Sequence, residues 1–162
     1  SLAAMLFYIW IRFEWQFSLG AIIAIIHDVI ITVGIFSFLS YEINLSIVAA
    51  VLTIVGYSMN DTVVIFDRIR ENLRKYTKVS ISEISDISTH ETLSRTIITS
   101  LTTLLALFSI YIFGGEILKG FSFAMIVGVI VGTYSSIFVA TPVLNYTKVN
   151  YKTISKEDVE NN

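Results

Sequence analysis

The stretch Gly56–Asn72, GYSMNDTVVIFDRIREN, joins an apolar segment to a charged end. Its apolar part is fit for lipid, yet it carries Asn60 and Asp61 several residues before the charged end. A charged side chain at the centre of a membrane helix costs about 2.5–3.5 kcal/mol, so such residues are rare unless they are paired or functional. The stretch therefore indicates a membrane helix in which Asp61 is either paired or functional.

The composition supports a membrane protein and excludes several kinds of site. Of the 162 residues 54% are hydrophobic and 15% charged, with a mean hydropathy of +0.74, whereas soluble domains carry about 25% charged residues. There is no cysteine, and the two histidines lie on different segments without metal-ligand spacing. The aspartates lack the Tyr-Asp and Gly-x-Gly-Asp settings of intramembrane aspartyl proteases. We therefore predict no enzyme activity, no cofactor, no metal and no nucleic-acid partner.

Hydrophobic blocks define the predicted fold class, an all-α polytopic integral-membrane helix bundle. A membrane helix needs about 20 mostly apolar residues. Four blocks qualify as full transmembrane helices, and a shorter one is interpreted as a truncated N-terminal helix. The predicted spans are 16–39, 45–66, 95–113 and 120–145, with the truncated one at 2–11. They form a membrane domain over 1–147, with a connection at 67–94 and a polar, disordered tail at 148–162.

The loops differ in basic charge, which predicts the orientation. One side holds nine Lys and Arg residues, and the other holds only Lys119. The connection 67–94 and the C-terminal tail are therefore predicted to be cytoplasmic. Within that connection, Ser80–Glu83 is a capping box, so we expect a short amphipathic helix at the interface, with a solvated loop as the alternative.

Small and polar residues mark the faces that we expect to point into the bundle. The last span has a stripe at spacing four, which includes Gly128 and Gly132 as helix-packing positions. The expected inward faces in chain order are Gly20, Ala24, Asp28 and Thr32; Ser46, Ala49, Ala50, Thr53, Gly56, Tyr57, Asn60 and Asp61; Arg95, Thr99, Thr102, Thr103, Ala106 and Ser109; and Ala124, Gly128, Gly132, Ser136 and Ala140.

Asp61 and Arg95 are expected at similar depth on facing helices. Burial disfavours an ionised carboxylate and a nearby guanidinium favours it, so a change in their separation would make Asp61 bind or release a proton. Thr99, Thr102 and Thr103 could hold waters that reach the acid. The alternative is a static ion pair between two helices. For His27 and Asp28, a helix–helix hydrogen bond and a supporting role in the proton relay both stay open.

The stretch GYSMNDTVVIFDRIREN resembles the signature of the SecF family of protein-export membrane proteins. RFEW (12–15), HDVIIT (27–32), TLSRTIITSLTT (92–103) and FGG (113–115) fit the same family in order. The resemblance implies half of a membrane domain related to the resistance-nodulation-division (RND) transporters, with SecD supplying the other half. The family's first span and periplasmic domain are expected to lie outside this chain.

The resemblance implies a role in Sec protein export, driven with SecD by the proton motive force. Asp61 and Arg95 are the implied proton-pathway residues, while Asp67, Arg68, Arg70 and Glu71 are expected to set topology or docking. Protons are the only coupling ion expected. The implied partners are SecD, the SecYEG channel, YajC, the lipid bilayer and a translocating preprotein, in the bacterial cytoplasmic (inner) membrane. The alternatives are a scaffold with structural Asp and Arg residues, or an RND-type small-molecule exporter. Ile98 departs from the asparagine expected of many members.

Overall fold

The computed structural model describes residues 14–40, 44–147 and 149. The truncated block 2–11, Arg12 and most of the tail lie outside these residues. The elements are α1 (Trp15–Phe38), α2 (Leu45–Lys75), α3 (Ile81–Phe113), α4 (Glu116–Ser135), a π-helical segment (Ser136–Ala140) and α5 (Thr141–Tyr146).

Four of the helical stretches are long and apolar enough to cross a membrane, the last one combining α4, the π-helical segment and α5. The described residues contain no strand. The prediction of an all-α bundle with four membrane-length helices is therefore confirmed. At 1.5 Å per residue, the 31 residues of α2 extend about 46 Å, well beyond a hydrocarbon core of about 30 Å.

The connection between α2 and α3 differs from the prediction in one respect. The Ser80 hydroxyl caps α3 by accepting a hydrogen bond from the Glu83 backbone N–H at 3.3 Å. However, the helix that starts there continues without a break to Phe113. The prediction of a separate short helix at the interface was therefore wrong. The physical reason is that no glycine or proline occurs between Ile81 and Phe113, and nothing else ends the helix.

Helix α2 lies at the centre and packs against α1, α3 and α4. Its buried surface differs from the predicted face: Val55 and Met59 lie outside that face and are buried, whereas Ala49, Thr53 and Asn60 are exposed. The reason is that helices cover α2 on more than one flank, so a single inward stripe does not describe it. On α1, all four members of the expected face are buried.

Two apolar clusters form the core. The cluster at the Lys/Arg-rich end includes Phe17, Phe66, Ile69 and Leu144, with the Phe17 and Phe66 rings in edge-to-face contact at 5.3 Å. The cluster at the opposite end consists of Phe36, Ile47, Ala50, Ile54, Leu107, Ala124, Met125, Ile126 and Val129. Between them lies a layer of buried polar side chains, which we call the polar layer: Asp28, Thr32, Ser58, Asp61, Thr62, Thr96, Ser100, Ser135 and Ser136.

The final helical stretch contains the small-residue stripe, whose five members are all buried. A Cβ at Gly128 would overlap the side chain of Ile54, and one at Gly132 would lie 3.1 Å from Ser58 Cβ. The π-helical segment precedes Pro142, which lacks the N–H that an α-helix needs. The Thr141 hydroxyl donates instead to the Ser136 carbonyl at 3.0 Å.

Gly128→Ala should lower the thermal stability of the purified protein. The added methyl group would force the buried Ile54 to move, and overpacking of this kind costs about 1–3 kcal/mol. Thermal unfolding in detergent measures the effect. Gly34→Ala is the matched control, because a Cβ there meets no atom within 4 Å, and alanine is the better helix former. Equal unfolding temperatures for the two variants would contradict the tight α2–α4 contact.

Candidate functional site

Asp28 joins three helices inside the polar layer. Its side chain is 1% exposed, and its Oδ2 accepts hydrogen bonds from the hydroxyls of Ser58 on α2 and Ser135 on α4, the latter at 2.8 Å. His27 Nδ1 lies 3.0 Å from Asp28 Oδ1. Because each buried polar group needs a partner in lipid, this carboxyl group fixes the register of α1, α2 and α4.

A second set of polar contacts joins α2, α3 and α4. The Tyr57 hydroxyl donates to Ser100 Oγ at 3.4 Å, and Ser100 Oγ lies 2.7 Å from Thr133 Oγ1. Thr133 also donates to the Val129 carbonyl of its own helix. The two sets of contacts together connect all four long helices through the polar layer.

Asp61 lies in the same layer, on α2, one helical turn from Ser58. It is 4% exposed, and its Oδ2 is buried without a hydrogen-bond partner among the described residues. The neighbouring Thr62 hydroxyl does not reach it, because that hydroxyl donates to the Ser58 carbonyl at 3.1 Å. An acid whose oxygen is buried but unpaired is free to change its protonation or to accept a new partner. Asp61 is therefore chemically unlike the fully bonded Asp28.

Arg95 does not point into the bundle as the sequence pattern predicts. It is exposed, because α3 packs through Thr92, Thr96 and Ser100. Arg95 precedes Thr96 by one residue, so its side chain points about 100° away from this packed face. The guanidinium still lies close enough to act electrostatically on Asp61, but no ion pair joins the two in the described part of the chain. The expected static clamp is not present there.

The other predicted relay residues line an outer surface of α2 and α3. Asn60 and Thr102 are exposed, and Thr99 and Thr103 are half-buried. The three threonine hydroxyls donate to carbonyls three or four residues earlier in α3. These residues belong to the expected inward faces of α2 and α3, but no other helix of the described chain fully covers them.

The charged end of the opening stretch connects the extensions of α2 and α3. Arg68 donates to Glu91 at 2.7 Å and to Glu71, which also accepts from Lys75. Asn72 bonds Glu91 as well, at 2.7 Å. Sequence analysis missed Asn72 and Glu91, because their partners lie in another helix.

A buried pair holds the start of α1 against the same region. Arg70 Nη2 donates to Glu14 Oε1 at 3.0 Å, and the two side chains are 14% and 4% exposed. The signature residues Arg68, Arg70 and Glu71 thus contact α1, α2 and α3 beyond the spans. No group of three His, Asp or Glu side chains suited to a metal ion occurs in the described ranges.

The electrostatics of the exposed network follow from its hydrogen bonds. Hydrogen bonds from Lys75 and then Arg68 lower the pKa of Glu71, and bonds from Arg68 and then Asn72 lower the pKa of Glu91. The same two carboxylates, Glu91 foremost, raise the pKa of Arg68. All three groups therefore favour their charged forms in the folded protein.

The helix bundle with ionisable residues inside its polar layer defines a polytopic membrane protein with a buried acidic site. Residues 1–150 match the family described as "Protein export membrane protein SecD/SecF, C-terminal". The chain belongs to this family.

Named relatives and solved structures agree with that membership. The chain is 58% identical over 144 residues to the protein translocase subunit SecF of Rickettsia bellii, covering 89% of this chain and 48% of the relative. It is 57% identical over 136 residues to that of Rhodobacter capsulatus, covering 84% and 41%. The chain thus spans about half the length of these curated relatives, whose names describe a transport role and not an enzyme.

Two crystal structures of SecDF share the fold. The form described as super-membrane-facing has a TM-score of 0.86 at 42% identity, covering 98% of this chain and 21% of that one. The SecDF structure from Thermus thermophilus has a TM-score of 0.87 at 44% identity, covering 91% and 20%. The all-α membrane fold that the sequence resemblance implies is therefore confirmed.

Asp28→Ala should destabilise the bundle strongly. The substitution leaves the buried Ser58 hydroxyl without its acceptor, at about 1–3 kcal/mol, and leaves Ser135 only the Gly132 carbonyl at 3.2 Å. Thermal unfolding in detergent measures the loss. Thr32→Val is the matched control one turn away, because the Thr32 hydroxyl is buried without a partner among the described residues and should be replaced at little cost. If both variants unfold alike, Asp28 does not hold the helices together.

The hydrogen-bond network of Arg68, Glu71, Asn72, Lys75 and Glu91 should make the thermal stability fall at acidic pH. Because the pKa values of Glu71 and Glu91 are lowered in the fold, their contribution is fully present above the ordinary value of about 4.5. It is lost as the pH falls through the lowered values. The Glu71→Gln/Glu91→Gln double variant should therefore lose less thermal stability than the parent between pH 6 and pH 3. The control is Glu83→Gln, which removes an exposed carboxylate of α3 outside the network and should retain the parent's pH dependence. A double variant that also retains it would contradict the role of Glu71 and Glu91.

Proposed function

We propose that this chain is the C-terminal membrane region of a SecF-type translocase subunit that works with a SecD partner. In this proposal the pair uses the proton motive force to promote protein translocation across the bacterial cytoplasmic membrane. The names of the relatives support the subunit type, and the SecDF structures support the pairing. SecYEG, YajC and the preprotein are further proposed partners, and the Lys/Arg-rich end with the C-terminus is proposed to face the cytoplasm.

The observation that carries the proton role is the state of Asp61. The acid is buried at a depth where an ionised group is expensive, yet one of its oxygens makes no hydrogen bond within the described residues. A structural acid would be bonded as Asp28 is, by two hydroxyls and a histidine. Asp61 retains the freedom to take up a proton on one side and release it on the other.

The exposed surface that carries Arg95, Asn60 and Thr102 supports a partner half. In the apolar membrane-length part of α3, only 17% is buried inside the protein, whereas the corresponding parts of the other three long helices are 39–50% buried. Arginine, asparagine and threonine side chains are poorly suited to face hydrocarbon. A second helix bundle packed on this surface would cover them and place Arg95 beside the route of the proton.

The energy of one proton suits a conformational cycle. One elementary charge moved through 100 mV corresponds to about 2.3 kcal/mol, which shifts a two-state equilibrium by roughly 50-fold. That is enough to bias a repeated motion and not enough to unfold a folded substrate in one step. We therefore propose that protonation of Asp61 alternates the bundle between two arrangements that differ in the distance from Asp61 to Arg95.

A scaffold role is the second candidate, and the bonding of Asp28 is the observation that favours it. Asp28 shows that a buried acid in this bundle can serve packing, so Asp61 could do the same once a partner covers it. Under this candidate the Asp61 and Arg95 charges only fasten two halves together. The RND-type small-molecule exporter gains no support from the names of the relatives.

Asp61→Asn in the full-length protein should leave assembly with SecD intact but stop export. The amide keeps the size and polarity of the side chain but cannot titrate. Co-purification of the complex measures assembly, and a pulse-chase of a secreted substrate in cells measures export. We expect a loss of about 10-fold or more in proton-driven export, because a coupling step worth about 2.3 kcal/mol is removed.

Two further variants make the result specific. Asp61→Glu restores a titratable group and should recover part of the export. Glu116→Gln, which removes an exposed carboxylate paired with Lys119, should export normally. Normal export by the assembled Asp61→Asn complex would overturn the proton role and leave the scaffold.

A further inference from the structure

A cleft of about 420 Å³ opens between the first turns of α3 and the end of the last helical stretch. One wall is a single face of α3, with residues at spacing four: Ser85, Thr89 and Leu93, flanked by Asp86 and His90. The other wall comes from the π-helical segment and α5: Ile137, Phe138, Thr141, Pro142 and Asn145. The cleft lies at the Lys/Arg-rich end, at the level where the spans leave the hydrocarbon. None of its lining residues belongs to the site described above.

Ser85 is an unpaired polar group in this wall. It is 1% exposed, and its hydroxyl has no hydrogen-bond partner among the described residues. Its neighbours behave differently, since Ser88 donates to Ile84 and Thr92 donates to Ser88, both to carbonyls four residues earlier. A buried hydroxyl without a partner costs free energy, and this one belongs to the wall of the cleft.

The opposite wall provides carbonyl oxygens with reduced bonding. Pro142 has no N–H, so a carbonyl of the preceding turn, in Ile137 or Phe138, receives no hydrogen bond from that position. The Thr141 hydroxyl is already used by the Ser136 carbonyl. π-Helical segments of this kind often occur at functional sites. Here two residues of the segment, Ile137 and Phe138, line the cleft.

The charges of the cleft define the ligand. Asp86 makes no ion pair with any residue that the structure describes, and no lysine or arginine occurs among the described lining residues. A carboxylate and free carbonyls need hydrogen-bond donors with positive charge, while His90 and Asn145 can donate to an anionic oxygen. Leu93 and Phe138 add apolar surface toward the bilayer. This combination matches a primary ammonium and a phosphate joined by a short linker.

We propose that the cleft binds the headgroup of a phospholipid with a primary amine, of the phosphatidylethanolamine type. The ammonium donates to the Asp86 carboxylate and to a carbonyl of the π-helical segment. The phosphate accepts from Asn145 and His90, and the glycerol region lies against Leu93 and Phe138. The site is independent of the proton role of Asp61.

Competition between two lipids tests the proposal on the unaltered protein. The full-length protein is purified from nanodiscs that contain equal amounts of phosphatidylethanolamine and phosphatidylcholine, and the retained lipid is identified by native mass spectrometry. The trimethylated amine of phosphatidylcholine keeps the charge but cannot donate a hydrogen bond. Charge-assisted hydrogen bonds of this strength predict a roughly 10-fold preference for phosphatidylethanolamine. Equal retention of the two lipids overturns the proposal.

Variants then place the retained lipid in this cleft. Asp86→Asn should reduce the preference to the smaller one that neutral carbonyl acceptors give. Glu83→Gln removes an exposed carboxylate one turn earlier on α3 and outside the cleft, so it should keep the preference. If Asp86→Asn retains the full preference while the protein remains folded by circular dichroism, the amine binds elsewhere and the assignment is wrong. Phosphatidylglycerol in a third arm should be retained least, and its retention above phosphatidylethanolamine would identify a phosphate site instead.

Discussion

The hydrogen-bonding requirement of one buried carboxyl group organises this bundle. In lipid, apolar contact does not distinguish protein from solvent, so packing and internal hydrogen bonds must decide how helices meet. Asp28 accepts hydrogen bonds from Ser58 and Ser135 on two other helices, and it thereby sets the heights of α1, α2 and α4. The small size of Gly132 allows Ser58 to come close enough for this contact. The apolar clusters on either side pack around a junction whose polar partners are fixed.

This junction also explains why a second acid can lie nearby with a buried oxygen that has no hydrogen-bond partner among the described residues. The helices that hold Asp28 are fastened independently of Asp61, so the fold does not need Asp61 to be bonded. A site with a poorly satisfied buried group is stable only if its surroundings are over-determined. Both residues are aspartates within apolar helices. The difference in their hydrogen bonding therefore depends on their neighbours.

Much of this architecture can be predicted from the sequence, and its exceptions have physical causes. Hydropathy predicts the four long helices, because length and composition decide what crosses a bilayer. The outward direction of Arg95 could not be predicted, because α3 carries polar residues on two faces and periodicity alone does not choose between them. The partners of Asp28 were also missed, since serines on distant helices give no signal at short spacing. Likewise, Glu14 and Arg70 are 56 residues apart in sequence, and only the fold brings them together.

The unbroken course of α2 has a mechanical consequence. Asp61 and Lys75 belong to the same helix, and the 14 steps from one to the other measure about 21 Å at 1.5 Å per residue. Because a helix bends little without proline or glycine, a tilt of about 10° around Asp61 would move its far end by about 4 Å. The extension of α3 is fastened alongside through Arg68 and Asn72. The two helices thus form a stiff extension, in which a small tilt of the membrane part would become a displacement of several ångströms at the far end.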